Sequence, residues 1–180
     1  MYFKCVKCGS EYEYGSKLWK CGCGGYLKLI QKVKFTKDDI KRERLNMWRY
    51  DNAYPLKYDE LAASFDEGMT PLVKMDWGDV KIHAKLDSLM PSCSFKDRGM
   101  AMAVNYLINQ GVEYITEDSS GNAAASVAAY CARGGIKCKV YVPAGNSSGK
   151  ITQTRAYGAE ITEVLGTRDE VADAAQVHSE

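Results

Sequence analysis

The sequence predicts an α/β body built on a parallel sheet, preceded by a small cysteine-rich module. Three observations carry this. Strand-like and helix-like segments alternate from Gly68 onward, the helices among them close on glycines, and four of the seven cysteines fall within the first 23 residues. Strands alternating with short helices are the pattern of βαβ units. Closely spaced thiols in a chain this short point to a metal or to disulfides.

The module comes first. CVKCGSEYEYGSKLWKCGCGGYL carries C-x2-C, a 12-residue gap and C-x-C followed by Gly-Gly. Such spacing lets two facing turns hold a cation, one with Cys5 and Cys8, the other with Cys21 and Cys23, while Gly9, Gly22, Gly24 and Gly25 let the backbone curl around the sulfurs. The expected ion is tetrahedral Zn(2+), closed by four thiolates with no place for water and therefore structural. A metal-free ribbon and a pair of disulfides are competing readings of the same spacing. Between the pairs, EYEYGSKLW reads as two short strands around a Gly-Ser turn, which makes residues 1–30 a zinc-ribbon-like module.

Residues 31–67 form a charged connector with irregular aromatics. Thr36 and Asp39 have the spacing of a capping box, opening a short helix that ends before Tyr54-Pro55. Trp48 and Tyr50 are expected to pack onto the body. Residues 68–180 form that body. Strands are predicted over 80–86, 113–117, 137–142 and 160–165. Helices are predicted over 98–110, 121–133, from Lys150 to Tyr157, and after Thr167. The alanine-rich second helix stops at Gly134-Gly135 and the third at Gly158. His83 lies in the first strand and His178 near the last residue. Neither belongs to a constellation, and a lone strand histidine reads as a packing or hydrogen-bonding residue.

Composition limits the partners. With 24 basic against 23 acidic residues there is no surplus charge for nucleic acid or a membrane surface. A hydrophobic content of 46% supports a real core. No apolar run approaches the roughly 18 residues that cross a bilayer, and MYFKCVKCGS lacks the apolar stretch of a signal peptide. The expectation is a cytoplasmic protein with no nucleic-acid and no membrane partner.

Two loops concentrate the chemistry. In parallel sheets ligands bind beyond the carboxyl ends of strands, where loops enter helices. MPSCSFKDRGM places Lys96 at a helix entrance, where an ammonium sits badly against the positive end of the backbone dipole. It is either a solvated surface charge or an amine whose proton is meant to be lost. EDSSGNAAAS runs from a strand into the next helix. Ser119, Ser120, Gly121 and Asn122 there offer hydroxyls, close backbone approach and free N–H groups, which suits a carboxylate or phosphate as well as a plain helix cap.

Together the two loops resemble those of the fold-type II pyridoxal phosphate enzymes. MPSCSFKDRGM is similar to their Pro-Thr-Gly-Ser-Phe-Lys-Asp-Arg-Gly lysine loop, and EDSSGNAAAS resembles their substrate-carboxylate loop. Nearer still are the threonine synthases. MWRY followed by a proline, EGMTPLV, the lysine loop, SSGNAAASVAAYCARGG and KITQTRAYGAEI are similar to their segments, in their order, and a cysteine-rich N-terminus ending in CGG occurs among them.

The resemblance implies a tryptophan-synthase-β-like half-fold with pyridoxal 5'-phosphate as cofactor. Lys96 would bind it as a Schiff base and Asn122 would hydrogen-bond its ring hydroxyl. Ser119, Ser120, Gly121 and Asn122 would hold the substrate carboxylate, and Asp97 and Arg98 would anchor the loop and start the helix. The implied reaction converts O-phospho-L-homoserine and water to L-threonine and phosphate. A β-eliminating dehydratase, a β-replacing synthase and a non-catalytic binding module are the rivals, and homodimerisation is left open. Two departures stand out. Ser92-Cys93 replaces the usual Thr-Gly, so Cys93 is strained if that position needs a positive φ. Family members are also longer, so this chain reads as an N-terminal portion, with the cofactor's phosphate loop and the partner of its ring nitrogen expected elsewhere.

Overall fold

The computed structural model describes residues 1–145 and 148–177. It opens with a small antiparallel sheet of β1 (Tyr2–Cys5), β2 (Glu11–Glu13) and β3 (Leu27–Ile30), in the order β2-β1-β3. EYEYGSKLW therefore contributes one strand instead of two, and the other two strands flank the cysteines. The reason lies at Gly15, whose φ of +100° turns the chain toward the body. Its N–H donates to Tyr106 Oη at 3.3 Å, so the segment leaves the sheet instead of folding back along β2.

The connector is mostly irregular. Thr36 and Asp39 do form the expected capping box, with Thr36 N–H and Oγ1 donating to Asp39 at 2.7 and 2.8 Å. The box opens only a single 3-10 turn, Lys37–Asp39, and further 3-10 turns cover Met47–Ala53 and Tyr58–Glu60. Trp48 is fully buried and its indole N–H donates to the buried Glu67 carboxylate at 2.5 Å. Glu67 also accepts from Phe65 N–H at 2.9 Å, and its carbonyl accepts from Met47 N–H at 2.7 Å. Tyr50 stays half-buried, edge-on to Phe35. The residue after Glu67, Gly68, has a φ of +102°, and a Cβ there would lie 2.7 Å from Met47 N. No other residue lets the Trp48 turn close this tightly.

In the body, β4 (Leu72–Trp77) and β5 (Val80–Lys85) form an antiparallel hairpin that stands apart from the parallel sheet. The strand predicted over 80–86 is thus present, but it pairs with the unpredicted β4, across a Gly78-Asp79 turn in which Gly78 has φ +58°. His83 is exposed on β5 opposite Lys74, which removes the packing role expected of it. His178 lies outside the described residues.

Beyond the hairpin the alternation holds. The chain runs through α1 (Lys96–Asn109), β6 (Tyr114–Glu117), α2 (Asn122–Gly134), β7 (Lys137–Pro143), α3 (Ser148–Ala156), β8 (Glu160–Val164) and α4 (Arg168–Val177). The three strands are parallel in the order β6-β7-β8. α2 sits at the centre, with every residue from Ala124 to Cys131 buried. Its alanines let α1, α3 and the sheet approach closely, and Gly134 has no room for a Cβ against Ile108. Gly135, at φ +71°, ends the helix, with Ile136 N–H reaching back to Cys131 O at 3.0 Å. None of the described helices is long and apolar enough to cross a membrane.

Gly68→Ala tests this account of the connector. It combines a strained φ with a clash against backbone and is expected to cost about 2–3 kcal/mol, read as a lower urea midpoint at unchanged slope.

Candidate functional site

The lysine loop is built around Asp97. Its carboxylate has no exposed surface and accepts three hydrogen bonds: Ser92 N–H at 2.7 Å, Ser92 Oγ–H at 2.5 Å and Ser126 Oγ–H at 2.5 Å. The first two close the loop onto the helix it precedes. The third ties the first turn of α1 to α2, and Gln153 of α3 holds the loop from another side by donating to Ser92 O at 3.1 Å. Arg98 faces away from Asp97 and clamps the Asp87 carboxylate at 2.8 and 3.1 Å, with Thr70 bonded to both. The anchoring roles expected of Asp97 and Arg98 are therefore the ones they play.

Lys96 lies between these anchors and shares neither. Lys96 is half-buried, its amine 5.1 Å from the centre of the Phe95 ring and without a hydrogen bond or ion pair among the described residues. Cys93 adopts φ +61°, so the loop does require the left-handed conformation that glycine takes freely.

The second loop meets the first through Ser126, one helical turn beyond Asn122. Lys96 and Asn122 thus begin two neighbouring helices. Gly121 precedes α2 without a side-chain cap, and the first bond back to it comes from Ala125 N–H at 3.2 Å. The N–H groups of the first turn are left to a ligand or to water. Ser119 Oγ accepts from Gly121 N–H at 3.2 Å, which tightens the turn.

A residue that sequence reasoning passed over completes this corner. Glu117, at the end of β6, accepts the Ser119 N–H, and burial pushes its carboxyl above the usual range, with Asp118 adding to the effect and Arg168 and Lys96 opposing it. The signal available in the sequence was the acidic pair directly ahead of Ser119-Ser120. An unpartnered amine beside an uncapped helix start fits a cofactor that presents an aldehyde and a substrate that presents a carboxylate.

The other expected site is also assembled. The sulfurs of Cys5, Cys8, Cys21 and Cys23 all lie within 4.8 Å of one another, and none is in a disulfide. Each accepts an N–H from two residues on: Cys5 from Lys7 at 3.4 Å, Cys8 from Ser10, Cys21 from Cys23 and Cys23 from Gly25. A Cβ on Gly25 would stand 2.7 Å from Cys5 Sγ, so the Gly-Gly ending makes room for the sulfur cage. The Ser10 hydroxyl, helped by its N–H, holds the Cys8 thiol down to about 6. Cys23 is helped by the Gly25 N–H, yet Cys8 and Cys21 beside it push it up to about 12. Four thiols this close do not all ionise unaided, and a cation removes the conflict.

The sequence profile of the family described as "Pyridoxal-phosphate dependent enzyme" matches residues 63–180. The chain belongs to this family. It is 36% identical to the threonine synthase of Methanocaldococcus jannaschii, an alignment covering 96% of this chain and 45% of that one. It is 32% identical to the threonine synthase of Methanosarcina acetivorans, over 94% and 44% respectively. The chain thus spans less than half the length of these curated relatives. Among solved structures, a hydrogen sulfide-producing enzyme from Fusobacterium nucleatum aligns at a TM-score of 0.58 and 29% identity, covering 62% of this chain and 39% of that one. An O-ureido-L-serine synthase shares the fold at a TM-score of 0.57 and 23% identity, covering 61% and 38%.

Two stability measurements check the loop. Cys93→Gly relieves the left-handed backbone and is expected to stabilise by up to about 1 kcal/mol in urea unfolding. Arg98, with help from Thr70, holds the Asp87 carboxyl at about 2, below its unfolded value of about 3.9. The resulting stabilisation is complete above the unfolded value and is lost as the pH falls toward 2. Asp87→Asn is therefore expected to flatten the urea midpoint against pH in that window.

Proposed function

We propose a threonine synthase-like reaction for the whole protein: O-phospho-L-homoserine and water converted to L-threonine and phosphate with pyridoxal 5'-phosphate. These residues would supply its lysine and carboxylate loops. The observation that carries the reading is the unpartnered Lys96 amine beside the uncapped start of α2, in a chain 36% identical to a threonine synthase over 96% of its length.

In this reading Lys96 would hold the cofactor through its aldehyde, Asn122 would hydrogen-bond the ring hydroxyl, and Ser119, Ser120, Gly121 and Asn122 would receive the substrate carboxylate. The cofactor, when bound, supplies a sink for the electrons left on substrate carbon. Lys96 would take protons from Cα and Cβ and return one to Cγ and one to Cα. Phosphate would leave from Cγ, which becomes the methyl carbon, and water would place its hydroxyl on Cβ. Asp97 and Arg98 keep the helix start in place so that the lysine alone moves.

The same proposal divides the chain into a ribbon-like module (1–30), a connector (31–67) and the N-terminal part of the catalytic domain (68–180). It gives the cysteine cage a closed, structural Zn(2+). A cytoplasmic enzyme is the accompanying expectation, with a homodimer as one possible assembly. A second reading, elimination or replacement at Cβ of a serine-like substrate, draws on the likeness to the hydrogen sulfide-producing enzyme.

The test uses the full-length protein loaded with cofactor. Phosphohomoserine should yield threonine and phosphate in equal amounts, and Lys96→Ala should lose at least about 100-fold of that rate. Release of neither product rejects the assignment, whereas a 2-oxo acid or a β-substituted alanine from serine-like substrates selects the second reading. Borohydride reduction with the cofactor should label Lys96 in preference to the other lysines, as a non-catalytic module would not.

A further inference from the structure

The cysteine cage divides into two buried and two exposed sulfurs. Cys5 and Cys21 are 2% and 4% exposed, while Cys8 and Cys23 face solvent. A thiolate at the surface is stabilised by water, but a buried one depends on donors from the protein. Cys5 has two of these, the N–H groups of Lys7 and Cys8 at 3.4 and 3.5 Å. Cys21 receives only one backbone N–H, from Cys23. Its second donor is a side chain. The hydroxyl of Tyr12, in the middle of β2, stands 2.9 Å from Cys21 Sγ.

We propose that Tyr12 is a positioning residue of the metal site, its hydroxyl holding the buried Cys21 sulfur ready for a divalent ion and slowing the release of that ion. This deepens the zinc reading and rests on it. Four thiolates around a divalent ion leave a net charge of −2, and in a half-dry cage each donor that draws density from sulfur lowers the repulsion between neighbours. Ser10 makes the corresponding contact to Cys8, its hydroxyl 3.2 Å from that sulfur. Cys8 is exposed, so water can take the place of Ser10. No water reaches Cys21 with equal ease. The two hydroxyls therefore predict unequal effects, which a merely structural role for Tyr12 does not.

The experiment loads the full 180-residue chain with Zn(2+) and follows release to a chromogenic chelator, alongside Co(2+) spectra of the same proteins. The wild-type chain should bind one ion with the sulfur-to-cobalt charge-transfer bands of a tetrahedral thiolate site. Tyr12→Phe should release zinc about 10-fold faster and shift those bands to lower energy, and Ser10→Ala should change both less. Absence of any bound ion in the wild type defeats the zinc reading itself. A wild type that binds the ion, with a folded Tyr12→Phe releasing it at the same rate, overturns only the role of Tyr12. Should Tyr12→Phe not fold, Tyr12→His decides, since it keeps a ring N–H. Release within about twofold of wild type supports the proposal, and release about 10-fold faster overturns it.

Discussion

The lysine loop depends on one buried carboxylate. Asp97 is sealed from solvent with no cation in contact, a state that costs several kcal/mol unless the oxygens are fully hydrogen-bonded. Three short bonds from two serines meet that condition. Ser92 belongs to the loop and Ser126 to α2, so the interaction that makes the buried charge tolerable also fixes the loop to one helix and that helix to the next. Lys96 and Arg98 flank Asp97 on the first turn of α1, each rotated about 100° from it. Once Asp97 is placed inward, Arg98 meets Asp87 and Thr70 on one side, and Lys96 faces the other, its amine over the Phe95 ring with no hydrogen bond or ion pair among the described residues.

The ribbon and the body are stabilised by different means. The body has a continuous apolar core around α2, with Trp48 of the connector as part of it. The ribbon is too small to bury such a core, and its interior is largely the sulfur cage. It meets the body through rings. Phe3 and Tyr14 stack together and both touch Tyr106, on the half of α1 remote from Lys96. A single helix therefore has its start fixed by the buried carboxylate and its later turns by the cysteine-rich module, so order in the cysteine cage bears on the rigidity of the helix that begins with Lys96.

Much of this was legible in the sequence because it rests on local rules. Cysteine spacing identified the cage, glycines identified the helix ends, and the alternation identified α1 through β8 to within a few residues. The hydroxyl, glycine and amide run at 119–122 identified the start of α2 but left an anion site and a plain cap as alternatives, and the structure has no side-chain cap there. What failed either had no burial pattern to read or depended on partners distant in sequence. β4 was missed because all six of its residues are exposed, so burial imposes no pattern on them. The second ribbon strand was misplaced because Gly15 is drawn away by Tyr106, 91 residues further on. Glu117 was overlooked because its place beside Lys96 exists only after the strand and both helices have come together.

The two most deeply buried aspartates are met by hydrogen-bond donors, although single buried atoms such as Ser16 Oγ and Arg49 Nε have no partner among the described residues. Asp97 has its serines, and one oxygen of Asp51 has Lys41, Arg44 and the Tyr58 N–H, while its other oxygen has no partner among the described residues. Burial works against the Asp51 anion, yet those donors prevail and hold its carboxyl below the usual range. Lys96 and the first N–H groups of α2 are treated differently. They lie next to Asp97 and its serines on the first turns of α1 and α2, and have no side-chain hydrogen-bond partner among the described residues. Cys93 carries the strain of this loop, its left-handed backbone following directly on the Ser92 that turns inward to Asp97.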